Sequence, residues 1–98
     1  MCTWTTEQVE IAGTGRGVSD WIHVSRANVS YDHPAIGPYE HALLIDFVDP
    51  AQGVGARIAV ELDVMSAHAL LRALQSTLST PQALQDHHTA LAEQTISG

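Results

Sequence analysis

The chain has 98 residues, 45% of them hydrophobic, which is enough for one globular domain but not for two separate cores. Its 11 acidic and four basic residues give a formal charge of −7, and the basic residues are scattered arginines with no lysine, so we expect neither nucleic acid nor an anionic membrane as partner. With a single cysteine, no signal-peptide pattern and no apolar run approaching the roughly 20 residues of a membrane span, the chain is expected to be a cytoplasmic protein without an intrachain disulfide.

The first half of the chain alternates in the manner of β-strands. Residues 3–11 predict a first strand of mixed polarity, as on a sheet edge. The glycines of residues 13–17 (GTGRG) are predicted to end that strand in a turn, and because a strand rather than a helix follows them, they do not indicate a phosphate-binding loop. Residues 20–31 predict a second strand whose apolar parity changes at Ser25 and Arg26, which indicates a bulge or a bend.

The third predicted strand, residues 40–48, is apolar on both faces apart from Asp46. Such a strand lies at the centre of its sheet or is covered on its second face by another subunit, so we expect a homodimer or larger oligomer. The turn residues of 49–55 predict a hairpin to a fourth strand over residues 56–62, where Arg57 is placed to pair with Asp46.

The second half of the chain has helical periodicity. Asp63 is a suitable N-cap for a helix over residues 64–78, whose apolar stripe consists of Val64, Ala67, Leu71, Leu74 and Leu78. Thr80 and Pro81 predict the start of a second helix with fewer apolar residues. The predicted fold class is therefore α+β: a four-stranded, mainly antiparallel sheet with a C-terminal helix packed on one face and a weaker second helix. Residues 1–79 are the predicted single domain, and residues 80–98 the C-terminal helix and tail.

The loop between the second and third strands carries the side chains that are best suited to bind a metal ion. His33 and His41 flank a segment restricted by two prolines and a glycine, and antiparallel strands joined by such a loop bring their ends together. If the first strand lies beside them, Cys2 adds a thiolate, so Cys2, His33 and His41 are the predicted ligands of a metal site. Sulfur with imidazole nitrogen favours zinc, with copper and iron as alternatives. Glu40 is the predicted general base or fourth donor, a position that Asp32 or water could also take.

Ordinary structural roles compete with this metal site. His33 could cap a turn, His41 could pack on an apolar face, and Cys2 could be an incidental thiol or, after removal of Met1, an N-terminal aminothiol. Two functions therefore remain. The first is a small metalloprotein, with or without enzymatic activity. The second is a non-catalytic oligomeric binding or accessory protein, in which the loop of residues 33–41 (the proline loop) and its aromatic residues form a contact surface. His87 and His88 belong to neither, because adjacent helical residues point about 100° apart and cannot share one face.

Several segments together resemble a family of short bacterial proteins of uncharacterised function. They are the N-terminal MCT, the YDHP segment of residues 31–34 with the YEH of residues 39–41, the LIDF of residues 44–47, and RIAVEL of residues 57–62 running into a helix. The resemblance covers about residues 1–79. It implies a shared fold and brings no activity with it.

Overall fold

The computed structural model describes residues 6–53 and 55–97. Four strands form one antiparallel sheet in the order β1-β2-β3-β4, and two helices follow them, the second being the longer. The predicted α+β class is confirmed. The elements are β1 Thr6–Arg16, β2 Trp21–Asp32, β3 Ala42–Val48, a 3-10 turn Pro50–Gln52, β4 Arg57–Leu62, α1 Val64–Leu78 and α2 Pro81–Ser97.

The helices begin where the sequence predicts, at Val64 and at Pro81, and α1 ends at the predicted residue 78. The second, third and fourth strands agree with their predicted bounds within two residues. The predicted start of the first strand, residues 3–5, lies outside the described residues.

The end of the first strand was predicted wrongly, because β1 continues through the glycines to Arg16. Gly13 and Gly15 pair with Val24 and Ile22 of β2. A Cβ atom added at Gly15 would lie 2.5 Å from Cδ1 of Ile58, so the side chain of a residue three strands along the sheet occupies the space that a larger residue would need. Both glycines therefore lie within a strand rather than in a turn, and Gly15 allows close packing there. The turn follows at Gly17, whose N–H donates to the Asp20 carbonyl at 2.7 Å.

The sheet has an irregularity beside the predicted position at Ser25 and Arg26, but in the neighbouring strand β1 rather than in β2. The buried residues Val24 and Ala27 of β2 are three positions apart instead of two. Opposite them, the β1–β2 register shifts between Glu10, which pairs with Arg26, and Gly13, which pairs with Val24. Three steps along β1 thus match two along β2, so the extra residue lies in β1. The bulge therefore changes the side-chain alternation of β1 and not that of β2.

One face of the sheet is apolar. Register pairing places Ala27, Phe47 and Ile58 side by side across three strands, and Val29, Ile45 and Val60 form the next such row. The opposite face carries Arg26, Asn28, Asp46 and Arg57 together with Leu44, Val48 and Ala59, which follows from the alternation of side chains along each strand.

By its backbone contacts the chain divides into two compact units, residues 1–64 and residues 65–98. In the second unit the N–H of Leu84 donates to the Thr80 carbonyl at 2.9 Å where α2 begins. The predicted packing of α1 on the sheet, and with it the single domain over residues 1–79, stays a prediction. Neither helix in the described part of the chain is long and apolar enough to cross a membrane.

Candidate functional site

The two histidines of the proline loop lie side by side. Asp32 and Ala42 form the last pair of the β2–β3 ladder, so the residues that follow β2 and precede β3 are neighbours. His33 and His41 occupy these two places, and their ring centroids are 5.0 Å apart with 34° between the ring planes. Tyr31 lies on the other side, with its ring centroid 6.1 Å from that of His41. The predicted approach of the two histidines is confirmed.

The ring of His33 is oriented by a hydrogen bond. Its Nδ1 atom lies 3.1 Å from the carbonyl oxygen of Glu40. Because a carbonyl can only accept, Nδ1 carries the hydrogen, and the lone pair of the neutral ring is on Nε2. The backbone of the same residue is fixed as well, since the His33 N–H donates to Oδ1 of Asp32 at 2.7 Å.

The middle of the loop is bound to β4 by a carboxylate that sequence reasoning did not single out. Glu61 accepts hydrogen bonds from three consecutive backbone N–H groups, those of Ala35, Ile36 and Gly37; the last two are both 3.1 Å long. The bond from Ala35, followed by that from Gly37, holds the pKa of Glu61 below its ordinary value. The one signal in the sequence was that the two prolines enclose only these three N–H donors.

Glu40 and Cys2 are the other two residues of the predicted site. The described contact of Glu40 with the histidine pair runs through its backbone carbonyl, and its side chain is exposed. Cys2 lies outside the described residues. Among the residues that are described, no three His, Cys, Asp or Glu side chains are grouped so that they could hold a metal ion. The described geometry therefore supplies two imidazole donors, and a third ligand stays a prediction.

Comparison with known proteins gives one result. The sequence profile of a family of unknown function, DUF6295, matches residues 1–89. The chain belongs to the DUF6295 family. The match extends ten residues beyond the predicted 79 and includes the histidine pair, Glu61 and part of α2. No curated protein and no solved structure matches the chain.

The DUF6295 region contains a second polar cluster, around Asp49. This side chain is only 9% exposed and accepts hydrogen bonds from Nδ1 of His23 at 3.2 Å, Oγ of Ser25 at 3.4 Å, Nε2 of Gln52 at 2.6 Å and the N–H of Ala51 at 3.2 Å. The bond from His23 contributes most to holding the pKa of Asp49 below its ordinary value. Asp49 thus caps the 3-10 turn and attaches it to β2, which is a structural role.

The predicted pairing of Asp46 with Arg57 is confirmed in the same region. The guanidinium binds both carboxylate oxygens, with Nε 2.9 Å from Oδ1 and Nη2 3.1 Å from Oδ2. Asp46 raises the pKa of Arg57 through these hydrogen bonds. The described hydrogen bonds of Asp46 thus run to Arg57, in a cross-strand pair, and not to a histidine.

Proposed function

We propose that this protein binds a transition metal, zinc first, through His33 and His41, with Cys2 as the third protein ligand and Glu40 or water in the fourth position. Copper and iron are the alternatives for the same donor set. The observation that supports the proposal is the close pairing of the two imidazoles, one of which is oriented by a backbone carbonyl.

The distance between the rings fits a shared metal ion. A zinc–nitrogen bond is about 2.0–2.1 Å long, and the centre of an imidazole ring lies about 1.1 Å beyond the bonded nitrogen. Two such rings at a tetrahedral angle of about 109° have centroids roughly 5.2 Å apart. The observed separation of 5.0 Å is close to this value.

The hydrogen bond of His33 supports the same proposal. Metal-binding histidines commonly donate their second ring N–H to a carbonyl or carboxylate, which selects the tautomer whose other nitrogen binds the metal. The Glu40 carbonyl does this for Nδ1 of His33, so Nε2 is the ligand atom we propose. His41, at the start of β3, supplies the second imidazole.

Three protein ligands with one open position would allow a bound water to be activated. Glu40, next to His41 in the chain, is the proposed general base for that water. The proposal leaves the substrate and the reaction type open, and it includes a metal-binding protein without catalysis. We propose a cytoplasmic location, where a reducing environment preserves the Cys2 thiol.

The test is elemental analysis of untagged protein after separate reconstitution with zinc, copper and iron and removal of unbound metal. We expect close to one zinc per chain, reduced strongly in His33→Ala, His41→Ala and Cys2→Ser. His87→Ala is the matched control, because His87 is an exposed histidine on α2 and should leave the metal content unchanged. Wild-type protein that retains neither zinc nor copper nor iron would refute the proposal.

The second candidate is a non-catalytic, oligomeric binding or accessory protein, and the exposure of the loop favours it. Ile36, at the middle of the proline loop, is 88% exposed. Tyr39 of the same loop is 37% exposed, so the loop presents an apolar and an aromatic side chain, as this candidate requires. The homodimer predicted from Leu44 and Val48 of β3 belongs to this candidate too. Absence of metal together with a dimer in light scattering would favour it over the metalloprotein.

A further inference from the structure

One carboxylate accepts hydrogen bonds from all the backbone N–H groups between the two prolines of the loop. Proline has no backbone N–H, so between Pro34 and Pro38 the backbone can donate only from residues 35–37. All three of these donors bind Glu61. Successive N–H groups that converge on one point form a concave anion-binding nest, and here the anion is part of the protein.

Glu61 belongs to the sheet rather than to the loop. It lies on β4 and pairs in register with Leu44 of β3, so its backbone is held within the ladder. The loop is thus attached at three places: at its two ends by the pairing of Asp32 with Ala42, and at its middle by Glu61. The carboxylate connects the segment between the histidines to a rigid element.

The second half of the loop is restrained by packing. A Cβ atom added at Gly37 would lie 2.5 Å from Cε2 and 2.9 Å from Cζ of Tyr39, so the tyrosine ring lies directly against the glycine. Gly37 is also the last of the three residues bound to Glu61. The path of the backbone from Gly37 to Glu40, whose carbonyl orients His33, is therefore defined by these two contacts.

We propose that Glu61 is the positioning residue of the histidine pair: by binding the backbone of residues 35–37 it holds the Glu40 carbonyl against Nδ1 of His33 and sets the affinity of the site for metal. The effect on affinity rests on the proposed metal-binding function. The effect on the His33 ring does not, because the bond between its Nδ1 and the Glu40 carbonyl involves protein atoms alone.

The physical mechanism is local. Without the carboxylate, three N–H donors lose their common acceptor and turn to water, and the segment between the prolines is released from β4. The bond between His33 and Glu40 joins residues on opposite sides of that segment, so it depends on the segment's path. Once this bond is weakened, both tautomers of His33 become populated and the two rings lose their fixed separation.

The test uses the full-length protein and the variant Glu61→Ala. In metal-free protein at mildly alkaline pH, where imidazoles are neutral, ¹⁵N shifts of the histidine rings report the tautomer. We expect His33 of the wild type to be protonated at Nδ1, and His33 of the variant to be a mixture. Zinc affinity, measured by competition with a chromophoric chelator, should fall roughly 10- to 100-fold, the range typical for loss of groups that orient metal ligands.

Two controls separate positioning from general stability. Glu7→Ala removes an exposed carboxylate from β1 and should change neither readout. Asp46→Asn weakens a different cross-strand bond, the one with Arg57, and should lower stability while leaving the His33 tautomer and the zinc affinity as in the wild type. A merely structural role of Glu61 would make Glu61→Ala behave like Asp46→Asn.

Each outcome is decisive. Wild-type tautomer and wild-type zinc affinity in Glu61→Ala would overturn the proposal. A wild type that binds no zinc, together with a tautomer change in Glu61→Ala, would refute the metal function and leave the positioning role supported. If Glu61→Ala does not fold, Glu61→Gln is measured instead: a mixed tautomer with weaker zinc binding supports the proposal, and wild-type values in both overturn it.

Discussion

Arg57 of β4 binds Asp46 of β3 with two parallel hydrogen bonds, Nε to Oδ1 at 2.9 Å and Nη2 to Oδ2 at 3.1 Å. The two residues are diagonal neighbours, since Asp46 pairs with Ala59 and Arg57 pairs with Val48. A planar guanidinium matches a carboxylate in this way, whereas a lysine ammonium cannot. The pair therefore supports the β3–β4 register through geometry as well as charge.

We expect Arg57→Lys to lower the melting temperature by about 1–5 °C at low ionic strength, because the pair is partly exposed and such pairs contribute modestly. In about 1 M salt the difference should shrink, since exposed charges are screened. Thermal unfolding followed by circular dichroism measures both effects. Arg72→Lys, a matched change on the exposed surface of α1, should have no effect at either salt concentration. An effect of Arg57→Lys that does not depend on salt would contradict the prediction.

Stability should fall in acid through Glu61 and Asp49. The folded protein lowers the pKa of each: for Glu61 chiefly through the bond from Ala35, and for Asp49 chiefly through the bond from His23. The unfolded chain takes up protons near the ordinary values of about 4.3 for Glu and 3.9 for Asp, while the folded protein resists them. As pH falls through this range, the unfolded state binds more protons, so the free energy of unfolding decreases.

The measurement is the melting temperature of the wild type, Glu61→Gln and Asp49→Asn between neutral pH and about pH 3. Each variant should be less stable than the wild type at neutral pH, and the difference should shrink as the pH falls below about 4, where the carboxylates of the unfolded wild-type chain take up protons. Glu7→Gln should follow the wild-type curve throughout. A difference that stays constant over the whole pH range would show that the ionised carboxylates do not contribute.

Gly15 and Ile58 should be energetically coupled. The Cβ of an alanine at position 15 would meet Cδ1 of Ile58 at 2.5 Å, so the end of the Ile58 side chain must move, and Gly15→Ala should destabilise the protein by about 1 kcal/mol. Ile58→Val removes that Cδ1 atom, and in this background Gly15→Ala should cost little. A double-mutant cycle by urea unfolding should give a coupling of about 0.5 kcal/mol or more.

Gly55→Ala is the control for this cycle, because nothing lies within 4 Å of the added Cβ at that position. It should cost the same in the wild type and in Ile58→Val. Additive effects of Gly15→Ala and Ile58→Val would mean that the two side chains do not compete for the same space.

Zinc should stabilise the protein in a pH-dependent manner if the proposed ligands are correct. A ligand at about 100 times its dissociation constant stabilises the folded state by about 2.7 kcal/mol, which is measurable as a rise in melting temperature. The rise should diminish toward pH 5, because protons compete with zinc for Cys2, His33 and His41. Cys2→Ser should reduce the rise, and His87→Ala should preserve it. A full zinc-induced rise in Cys2→Ser would exclude Cys2 as a ligand.

Local patterns account for the parts of the fold that were predicted correctly. The helix Val64–Leu78 follows from an apolar stripe with helical spacing and a proline shortly after its end. The approach of His33 to His41 follows from a short, restricted loop between neighbouring antiparallel strands. The pairing of Asp46 with Arg57 follows from the hairpin that joins β3 to β4. In each case the partners are close in sequence, so spacing alone constrains them.

Only the tertiary structure decided the contacts between segments that are distant in the sequence. Gly13 and Gly15 read as a turn, yet both lie within β1, and Ile58, more than forty positions after Gly15, occupies the space beside that glycine. Glu61 reads as one polar residue in an alternating strand, and its role became visible only when β4 was placed beside the loop of residues 35–37. Backbone N–H groups are the same in every residue except proline, so the sequence cannot indicate which carboxylate they will bind. Sequence periodicity determined the strands and helices, and the short loop determined that the two histidines lie close together. The packing of strands across the sheet determined which residues hold the histidines in place.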